Sequence, residues 1–404
     1  MLSLLVLPIL ATIAIKVFKK TSPNGKITVY LGKRDYVDHL NNVDPIDGVV
    51  VVDSEYLHGR KLFGQAPDET MGLKFTKEMV LARALIQPDS QPSNQISELQ
   101  QRLMRKLGPG ARTFRFQLPV TAPTSVTLQP NLGEEGKPLG VEYALTTWVA
   151  ENQDENPHRR SSVSMAIRKV QYAPVSRGIR QPSAVVSKGF AMSSGRLNLE
   201  VNLDKDIFYH GEKVSANVCV SNNSRKTVKS FKVSIVQQCE ISVVNAQFSR
   251  EVASLQTKEG CPIMPGTSLH KQFFLTPLAG NTKNKEGVAL DGRLRDEDAN
   301  LASSTLVADG ESTGSAFGII VTYVLRVKLN CGHLGGELLA DLPFKLLHPA
   351  PGSEAEVRIR AEKKAREIEA HHKRQSTLND TDDDDPNIVF EDFKRMRSID
   401  MVDS

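Results

Sequence analysis

The chain has 404 residues, enough for two domains with separate cores, and its 40% hydrophobic and 24% charged side chains are ordinary for a water-soluble protein. The formal net charge is only +4, which gives no indication of a nucleic-acid partner. All four cysteines lie in the second half without a C-x-x-C pair, so neither a zinc site nor a disulfide framework is indicated, and a reducing cytosolic compartment fits best.

The first fifteen residues form an apolar N-terminal extension. Residues 2–15 are almost unbroken apolar sequence, shorter than the roughly 20 residues that a membrane-spanning helix needs. No basic residues precede this run and no A-x-A cleavage site follows it. A secreted or membrane-anchored alternative stays open, in which this run is a signal and the N-x-S/T sequons at Asn222 and Asn379 carry glycans.

A first series of strands occupies residues 16–176. The sequence Ser22-Pro23-Asn24-Gly25 predicts a hairpin turn of type I′, because Asn-Gly tolerates positive φ angles. The four β-branched residues 49–52 predict a central strand buried on both faces. Further strands are predicted near residues 113–118, 125–129, 141–150 and 162–171.

One helix is predicted in this half, at residues 97–107. Leu99, Leu103 and Leu107 recur at helical spacing and form an apolar stripe, and Gly108 ends the helix. The basic residues of the segment lie on its other faces, so we expect a cationic helix on the outside of a sheet, where it could face a membrane or an acidic segment.

A second series of strands follows a Pro-, Gly- and Ser-rich interdomain connection at residues 177–195. It occupies residues 196–350, with strands predicted near 197–203, 214–220, 228–237, 268–275, 317–329 and 336–347. Two strand series with almost no helix predict an all-β protein of two antiparallel β-sandwich domains.

The C-terminal end divides into a charged linker, residues 351–378, and a regulatory tail, residues 379–404. The tail has nine acidic and three basic residues, a charge of −6, so the preceding part of the +4 chain carries +10. Ile388, Phe390 and Phe393 follow its acidic run. A solvating tail does not need such apolar residues, so we interpret it as an internal latch; a disordered solubilising tail is the alternative.

No catalytic motif is present. The sequence lacks H-E-x-x-H, G-x-S-x-G, P-loop and Rossmann patterns, so we expect no enzyme activity and no cofactor. The adjacent His371 and His372 lie in the charged linker, and no metal site is expected there.

Five motifs resemble the arrestin family, closest in pattern to the insect visual arrestins and β-arrestins. They are VFKKTSPNGKITVYLGKRDYVDH (17–39), IRKVQYAP (167–174), YHGEKVSANVCVSNNS (209–224), ALDGRLRDEDANLASST (289–305) and IVFEDF (388–393). The resemblance implies a cytoplasmic adaptor, recruited to the plasma membrane, that binds phosphorylated rhodopsin-like G-protein-coupled receptors, desensitises their signalling and promotes internalisation.

The resemblance also implies particular sites. A buried charge cluster, the polar core, corresponds to Asp35, Arg168, Asp291, Asp298 and Arg395, and removal of one partner would leave a buried charge uncompensated. The phosphate-sensing residues correspond to Lys19 and Lys20. The tail latch would join Ile388, Phe390 and Phe393 to Val17, Phe18, Leu103 and Leu107.

Two further partners are implied by the same resemblance. The released tail would bind the clathrin adaptor ear through Phe390, Phe393 and Arg397. Phosphoinositides or inositol phosphates would bind the basic set Lys232, Arg250, Arg326 and Lys328, for which an ordinary solvated strand face is the alternative.

One departure from the family pattern affects the expected function. Only residues 66–70 separate Gln65 from Met71, where arrestins carry a strand and a loop with an R-Y-G-R-E-like element, the finger loop that enters the receptor. An alternative is therefore an endocytic adaptor, or a splice variant, that does not block the receptor core. The clathrin box of the L-I-E-F-D type is also absent from the linker.

Overall fold

A computed structural model describes most of the chain between residues 15 and 392. The described residues are 15–57, 59–72, 75–87, 96–130, 138–152, 155–173, 180–191, 194–241, 245–282, 285–292, 300–306, 318–332, 335–359, 361 and 388–392. For residues 15, 66–72, 75–79, 81, 87 and 388–392, only the backbone is described. Among the described residues, no helix has the length and apolar character needed to cross a membrane.

The first half forms a sandwich of two sheets. Its strands are β1 (Ile15–Thr21), β2 (Ile27–Leu31), β3 (Asp35–Asp38), β4 (Ile46–Val52), β5 (Lys61–Gly72), β6 (Phe75–Gln87), β7 (Ala111–Phe116), β8 (Val126–Leu128), β9 (Gly140–Ala150) and β10 (Ser162–Gln171). Its helices are α1 (Ser54–Leu57) and α2 (Glu98–Leu107). One sheet contains β1-β2-β4-β7 in that order. The other contains β8-β9-β10-β3, and in it β5 also pairs with β9 and β6 pairs with β5.

Helix α2 covers the outer face of the first sheet. It begins with a capping box in which the Ser97 hydroxyl accepts from the N–H of Gln100 and the Gln100 side chain accepts from the N–H of Ser97. The buried Gln100 amide also donates to the carbonyls of Gly48 and Phe114. Leu103 is fully buried, and it packs in a small cluster with Val17 of β1. The predicted helix and its position on the sheet are confirmed.

The second half forms a sandwich of a four-stranded and a five-stranded sheet. Its strands are β11 (Ser183–Gly189), β12 (Arg196–Leu203), β13 (Ile207–Tyr209), β14 (Val214–Asn222), β15 (Ser230–Ile241), β16 (Ala246–Thr257), β17 (Thr267–Leu275), β18 (Ala289–Asp291), β19 (Ile319–Asn330) and β20 (Glu337–Leu347), with a 3₁₀ turn at Ala279–Thr282. The sheet orders are β11-β12-β14-β17 and β13-β20-β19-β15-β16. The expected all-β, two-sandwich architecture is confirmed.

Two short pairings connect distant parts of the chain. Strand β18, from the second half, pairs antiparallel with β8 of the first half. Val126 and Leu128 of β8 consequently pack in the same apolar cluster as Val288 and Leu290. Strand β21 (Ile388–Asp392) pairs in parallel with β1 at the edge of the first sheet. The central strand predicted at residues 49–52 lies in β4, between β2 and β7.

The first hairpin turn differs from the type I′ prediction. The N–H of Gly25 donates to the carbonyl of Ser22, and Gly25 has φ +74°, but Asn24 is not in the positive-φ region. Pro23 holds φ negative at the first central position, so Ser22–Gly25 cannot form a mirror-image turn. The left-handed conformation falls on Gly25 alone.

Several strands were not predicted from the sequence, among them the edge strands β11 and β16. Strand β11 lies inside the predicted connection 177–195 and pairs with β12 along its length, despite the Pro, Gly and Ser around it. Strand β16 pairs with β15 across a bulge between Ile235 and Val236. Both are edge strands with many polar residues, so their alternation of apolar side chains is weak.

Candidate functional site

Asp35 and Arg168 form a bidentate ion pair between strands β3 and β10. These strands run in parallel, and their register places the two residues opposite each other. The Arg168 Nε and Nη2 atoms donate to Asp35 Oδ1 and Oδ2, both at 2.6 Å. The Arg168 side chain is 12% exposed and that of Asp35 is 40% exposed. The guanidinium is therefore largely desolvated, whereas the carboxylate still reaches water.

Arg168 also reaches the loop that follows β18. Its Nη1 atom donates to the carbonyl of Gly292 at 3.1 Å. The N–H of Gly292 in turn donates to the carbonyl of Ser125 at 3.2 Å. A Cβ atom at residue 292 would lie 2.8 Å from the Ser125 Cβ, so glycine permits this close approach. One arginine of the first sandwich thus binds a segment that belongs to the second.

Asp291 is buried at the end of β18, and two histidines lie beside it. Its Oδ1 accepts from the N–H of Ser303 at 3.0 Å, and its Oδ2 lies 2.6 Å from Nε2 of His348. The imidazole ring of His210 lies tilted against that of His348 at a centroid distance of 4.4 Å, and its Nε2 lies 3.0 Å from the Ser303 hydroxyl.

The environment separates the charge states of these groups. Burial by itself raises the pKa of Asp291, but His348, His210 and the Ser303 N–H together lower it below its ordinary value. Burial lowers the pKa of His210 to about 3, with a further contribution from His348. At neutral pH the site therefore contains the ionised Asp291 carboxylate and the neutral imidazole of His210.

The five-residue polar core is only partly described. Asp35 and Arg168 form a direct pair, whereas Asp291 makes its described contacts with Ser303 and His348. Asp298 and Arg395 lie outside the described residues, so their membership stays a prediction.

Sequence reasoning missed three residues near this cluster. They are His210, His348 and Lys169, whose completely buried Nζ pairs with Asp38 at 2.7 Å and also donates to the carbonyls of Val120 and Ala122. The only features of the sequence that could have pointed to them are the position of His210 directly after Tyr209 at the end of β13 and that of Lys169 directly after Arg168.

The edge strand β1 carries the predicted phosphate-sensing residues. In the β1–β21 register, Lys19 stands opposite Asp392 and Val17 opposite Phe390. Lys20 Nζ donates to the carbonyl of Ser164 at 2.6 Å. The acidic end of β21 therefore lies beside the cationic end of β1.

The predicted latch residues of the body lie on two faces. Val17, Leu103 and Leu107 belong to the cluster under α2, but Phe18 packs on the opposite side of the sheet, against the core of the first sandwich. Adjacent residues of a strand point to opposite faces, so Phe18 does not share the surface with its neighbour. Of the tail residues, Phe393 lies outside the described residues, and only the backbone is described for Ile388 and Phe390.

The four basic residues predicted to bind phosphoinositides also lie on two different faces of their sheet. Lys232 pairs with Glu251 at 2.7 Å, Lys328 with Glu337 at 2.9 Å, and Arg326 forms a bidentate pair with Asp341. These three side chains share the outer face of the sheet. Arg250 stands opposite the inward-facing Gln237, and its Nε donates to the Glu286 carbonyl. Phosphoinositide binding stays a prediction, and the arrangement supports three of its four residues as one surface.

Strands β5 and β6 form a tight hairpin in place of a long loop. Gly72 pairs with Phe75, so only residues 73 and 74 connect the strands. Strand β5 also pairs with β9 as far as Met71 opposite Gly140, the first residue of β9. The hairpin thus ends approximately where its neighbouring strand begins, and no long segment extends beyond the sheet there.

The sequon at Asn222 cannot be glycosylated in this fold. Asn222 is completely buried, and its amide donates to the carbonyls of Lys226 and Ile263. This removes one observation on which the secreted alternative depended; Asn379 lies outside the described residues.

Comparisons with known proteins agree with both sandwiches. The family described as "Arrestin (or S-antigen), N-terminal domain" matches residues 27–173. The family described as "Arrestin (or S-antigen), C-terminal domain" matches residues 193–351. Together these two matches cover most of the chain.

Full-length relatives give the same result. The chain is 57% identical over 394 residues to "Arrestin homolog" of Locusta migratoria, covering 95% of this chain and 96% of the relative. It is 53% identical over 402 residues to "Phosrestin-1" of Drosophila melanogaster, covering 97% and 100%. It is 51% identical over 401 residues to "Arrestin, lateral eye" of Limulus polyphemus, covering 96% of each. The chain therefore belongs to the arrestin family of non-enzymatic adaptors in receptor signalling.

Proposed function

We propose that this adaptor binds active, phosphorylated G-protein-coupled receptors at the membrane surface and that receptor phosphates release its C-terminal tail. The observation that carries the proposal is the parallel pairing of β21 with β1, which sets Asp392 opposite Lys19. The lateral-eye relative supports a sensory receptor of the rhodopsin type. The proposal includes desensitisation, because an occupied receptor is withdrawn from its G protein.

A phosphorylated peptide can compete for the same strand edge. Strand β21 has five residues and pairs only at the outer edge of its sheet, where an extended peptide could take its place by strand addition. Each phosphate carries nearly two negative charges, against one for a carboxylate. Lys19 and Lys20 would therefore favour a multiply phosphorylated peptide over the acidic tail.

Tail release would weaken the contact between the sandwiches. Arg395, three residues beyond β21, is proposed as a member of the polar core, so its departure would leave that cluster with excess negative charge. Gly292 is the described point at which Arg168 binds the β18 segment. A rotation of the two sandwiches would then require the loss of this contact and of the β8–β18 pairing.

The test compares peptides from a receptor tail with and without phosphate, over a salt series, by calorimetry. We expect tight, salt-sensitive binding only of the phosphorylated peptide, and weaker binding in Lys19→Ala/Lys20→Ala. Lys26→Ala is the matched control, since Lys26 directly precedes the neighbouring strand β2 and pairs with Asp53 at 2.6 Å. Equal, salt-insensitive binding of both peptides would contradict the proposal.

The released strand is also proposed to bind the clathrin adaptor ear and promote internalisation. Phe390 stands opposite Val17 in the bound strand, so one segment cannot pair with β1 and an external partner together. Phe393 and Arg397 are the other proposed contacts. Binding of the isolated ear should rise when the phosphopeptide is added and should be lost in Phe390→Ala/Phe393→Ala. Ear binding that does not change with phosphopeptide would contradict this coupling.

A second candidate function is endocytic adaptation without a block of the receptor core. The short β5–β6 hairpin favours it, because a two-residue connection offers little that could enter a receptor cavity. The two candidates differ in one measurement, G-protein activation by a phosphorylated receptor in the presence of this protein. Inhibition supports desensitisation by the whole adaptor, whereas receptor binding without inhibition supports the second candidate.

A further inference from the structure

Three metal-ligand side chains meet beside the interdomain strand β18. Asp291 ends β18, His210 directly follows β13, and His348 directly follows β20. One potential donor atom from each residue lies within 4.8 Å of the other two. Sequence separations of 57 to 138 residues (348 − 291 and 348 − 210) mean that only the tertiary fold assembles this group.

The surrounding contacts orient the group. The Ser303 N–H fixes one oxygen of Asp291 at 3.0 Å, leaving the other directed at His348. His348 is held at the domain junction by a backbone bridge to Tyr172, and its ring lies 5.5 Å from that of Tyr172. Support of this kind, in which neighbours fix the orientation of potential ligands, is typical of protein metal sites.

The charge of the group is suited to a cation. Asp291 is only 5% exposed, and its described partners are a backbone N–H and an imidazole. A buried carboxylate is costly unless a positive charge accompanies it. His210 is also buried, and its imidazole adds a nitrogen donor atom to the group.

We propose that His210, Asp291 and His348 bind a divalent transition-metal ion of the Zn²⁺ class. Two imidazoles and one carboxylate suit zinc or cobalt, whereas Mg²⁺ and Ca²⁺ prefer oxygen ligands alone. Tetrahedral zinc requires donor atoms about 3.4 Å apart. The 2.6 Å contact between Asp291 and His348 opens on binding, and the wider separations close. Water takes the fourth position, near the Ser303 hydroxyl.

A bound ion would link the ends of three strands. Strand β18 is paired with β8 of the other sandwich, and the Gly292 N–H is bonded to the Ser125 carbonyl. The ion therefore stabilises the segment that joins the sandwiches. We expect slower amide exchange at Gly292 in the metal-bound protein, independently of any receptor peptide.

The experiment uses the full chain with His371→Ala and His372→Ala, because these adjacent histidines, outside the described residues, could bind metal by themselves. The protein is first stripped with a chelator. Calorimetry with Zn²⁺ should then show one site, Co²⁺ should produce the intense visible absorption of tetrahedral coordination, and both ions should raise the melting temperature. Mg²⁺ should do none of these.

Variants locate the site. His210→Gln and His348→Gln should each weaken Zn²⁺ binding at least tenfold and reduce the cobalt absorption. His270→Gln, which replaces an exposed histidine on β17, is the matched control and should bind as the parent does. Circular dichroism in chelator establishes that each variant is folded.

Three results would overturn the inference. One is the absence of saturable Zn²⁺ binding and of cobalt absorption in the parent chain. The second is unchanged binding in folded His210→Gln and His348→Gln. The third is metal binding without any slowing of exchange at Gly292. The cobalt spectrum of the parent chain decides the matter even if a variant does not fold, and none of these results depends on phosphopeptide binding.

Discussion

Substitution of Arg168 by Gln tests whether this residue holds the two sandwiches together. The change removes two charged hydrogen bonds to Asp35, both 2.6 Å long, and a third to the Gly292 carbonyl at 3.1 Å. We expect destabilisation of the β18 segment and easier release of the tail. The matched control is Arg326→Gln, which removes a bidentate pair with Asp341 of similar geometry, 2.8 and 2.7 Å, away from the domain junction.

The two substitutions should differ in magnitude because their surroundings differ. Breaking a fully buried pair costs about 3–5 kcal/mol, and breaking an exposed pair costs about 0–1 kcal/mol. Arg168 is 12% exposed, but Asp35 is 40% exposed and can regain water. We therefore expect about 2–3 kcal/mol for Arg168→Gln and about 0.5–1 kcal/mol for the 29% exposed Arg326. The first value corresponds to a roughly 30- to 150-fold larger open population.

Hydrogen exchange of the Gly292 amide measures this opening directly, because its N–H bonds to Ser125 across the junction. Exchange should accelerate about 30- to 150-fold in Arg168→Gln and hardly at all in Arg326→Gln. The double variant Asp35→Asn/Arg168→Gln should recover part of the stability, since no unpaired carboxylate remains. The reasoning is refuted if both single variants accelerate exchange equally, or if the double variant is less stable than Arg168→Gln.

Three further predictions concern single groups. Burial raises the pKa of Tyr36, so the folding free energy that its neutral phenol contributes is complete below pH 10, the ordinary tyrosine pKa, and is lost as the pH rises above that value. The substitution Tyr36→Phe should therefore shift alkaline unfolding, followed by circular dichroism, to higher pH. Burial raises the pKa of Cys239 to about 12, so iodoacetamide should label it far more slowly than the less buried Cys219, measured by mass spectrometry. Similar rates would contradict the burial of Cys239. Lys328→Gln should weaken the binding of inositol hexakisphosphate, measured by calorimetry, more than Arg250→Gln does, because Lys328 lies on the outer face of the sheet and Arg250 on the opposite face. The reverse order would exclude the outer face as the binding surface.

Most of the fold could be predicted from local patterns. The four β-branched residues of β4 predicted a central strand, and the leucine stripe of α2 with Gly108 at its end predicted the helix. These signals succeed because burial on a sheet face and the capping of a helix end depend on residues close in sequence. The polar edge strands β11 and β16 were missed because pairing with a neighbour stabilises them, rather than their own apolar alternation.

The residues of the candidate site could be predicted only where they belong to a recognisable family motif. Arg168 and Asp35 were identified from the family resemblance, and the register of β3 and β10 places them opposite each other in a direct ion pair. His210 and His348 were missed because an isolated histidine carries no signal until a distant strand brings a carboxylate beside it. Phe18, which the resemblance also placed in the latch, packs against the sandwich core on the opposite face from Val17, and its role in the latch stays a prediction.

The pairing of the C-terminal strand with β1 and the ion pair between Asp35 and Arg168 both depend on strand register more than on the charges themselves. Lys19 stands opposite Asp392 in the backbone register, and the Arg168 guanidinium binds the Asp35 carboxylate, because parallel strands from distant parts of the chain align at one register. A shift of one residue would turn each side chain to the opposite face and leave its partner without a counter-charge. The backbone pairing therefore decides which charges interact, and a ligand that displaces β21 changes the electrostatics of the junction without altering any residue of the body. This is why replacement of an edge strand by a phosphopeptide can act as the trigger.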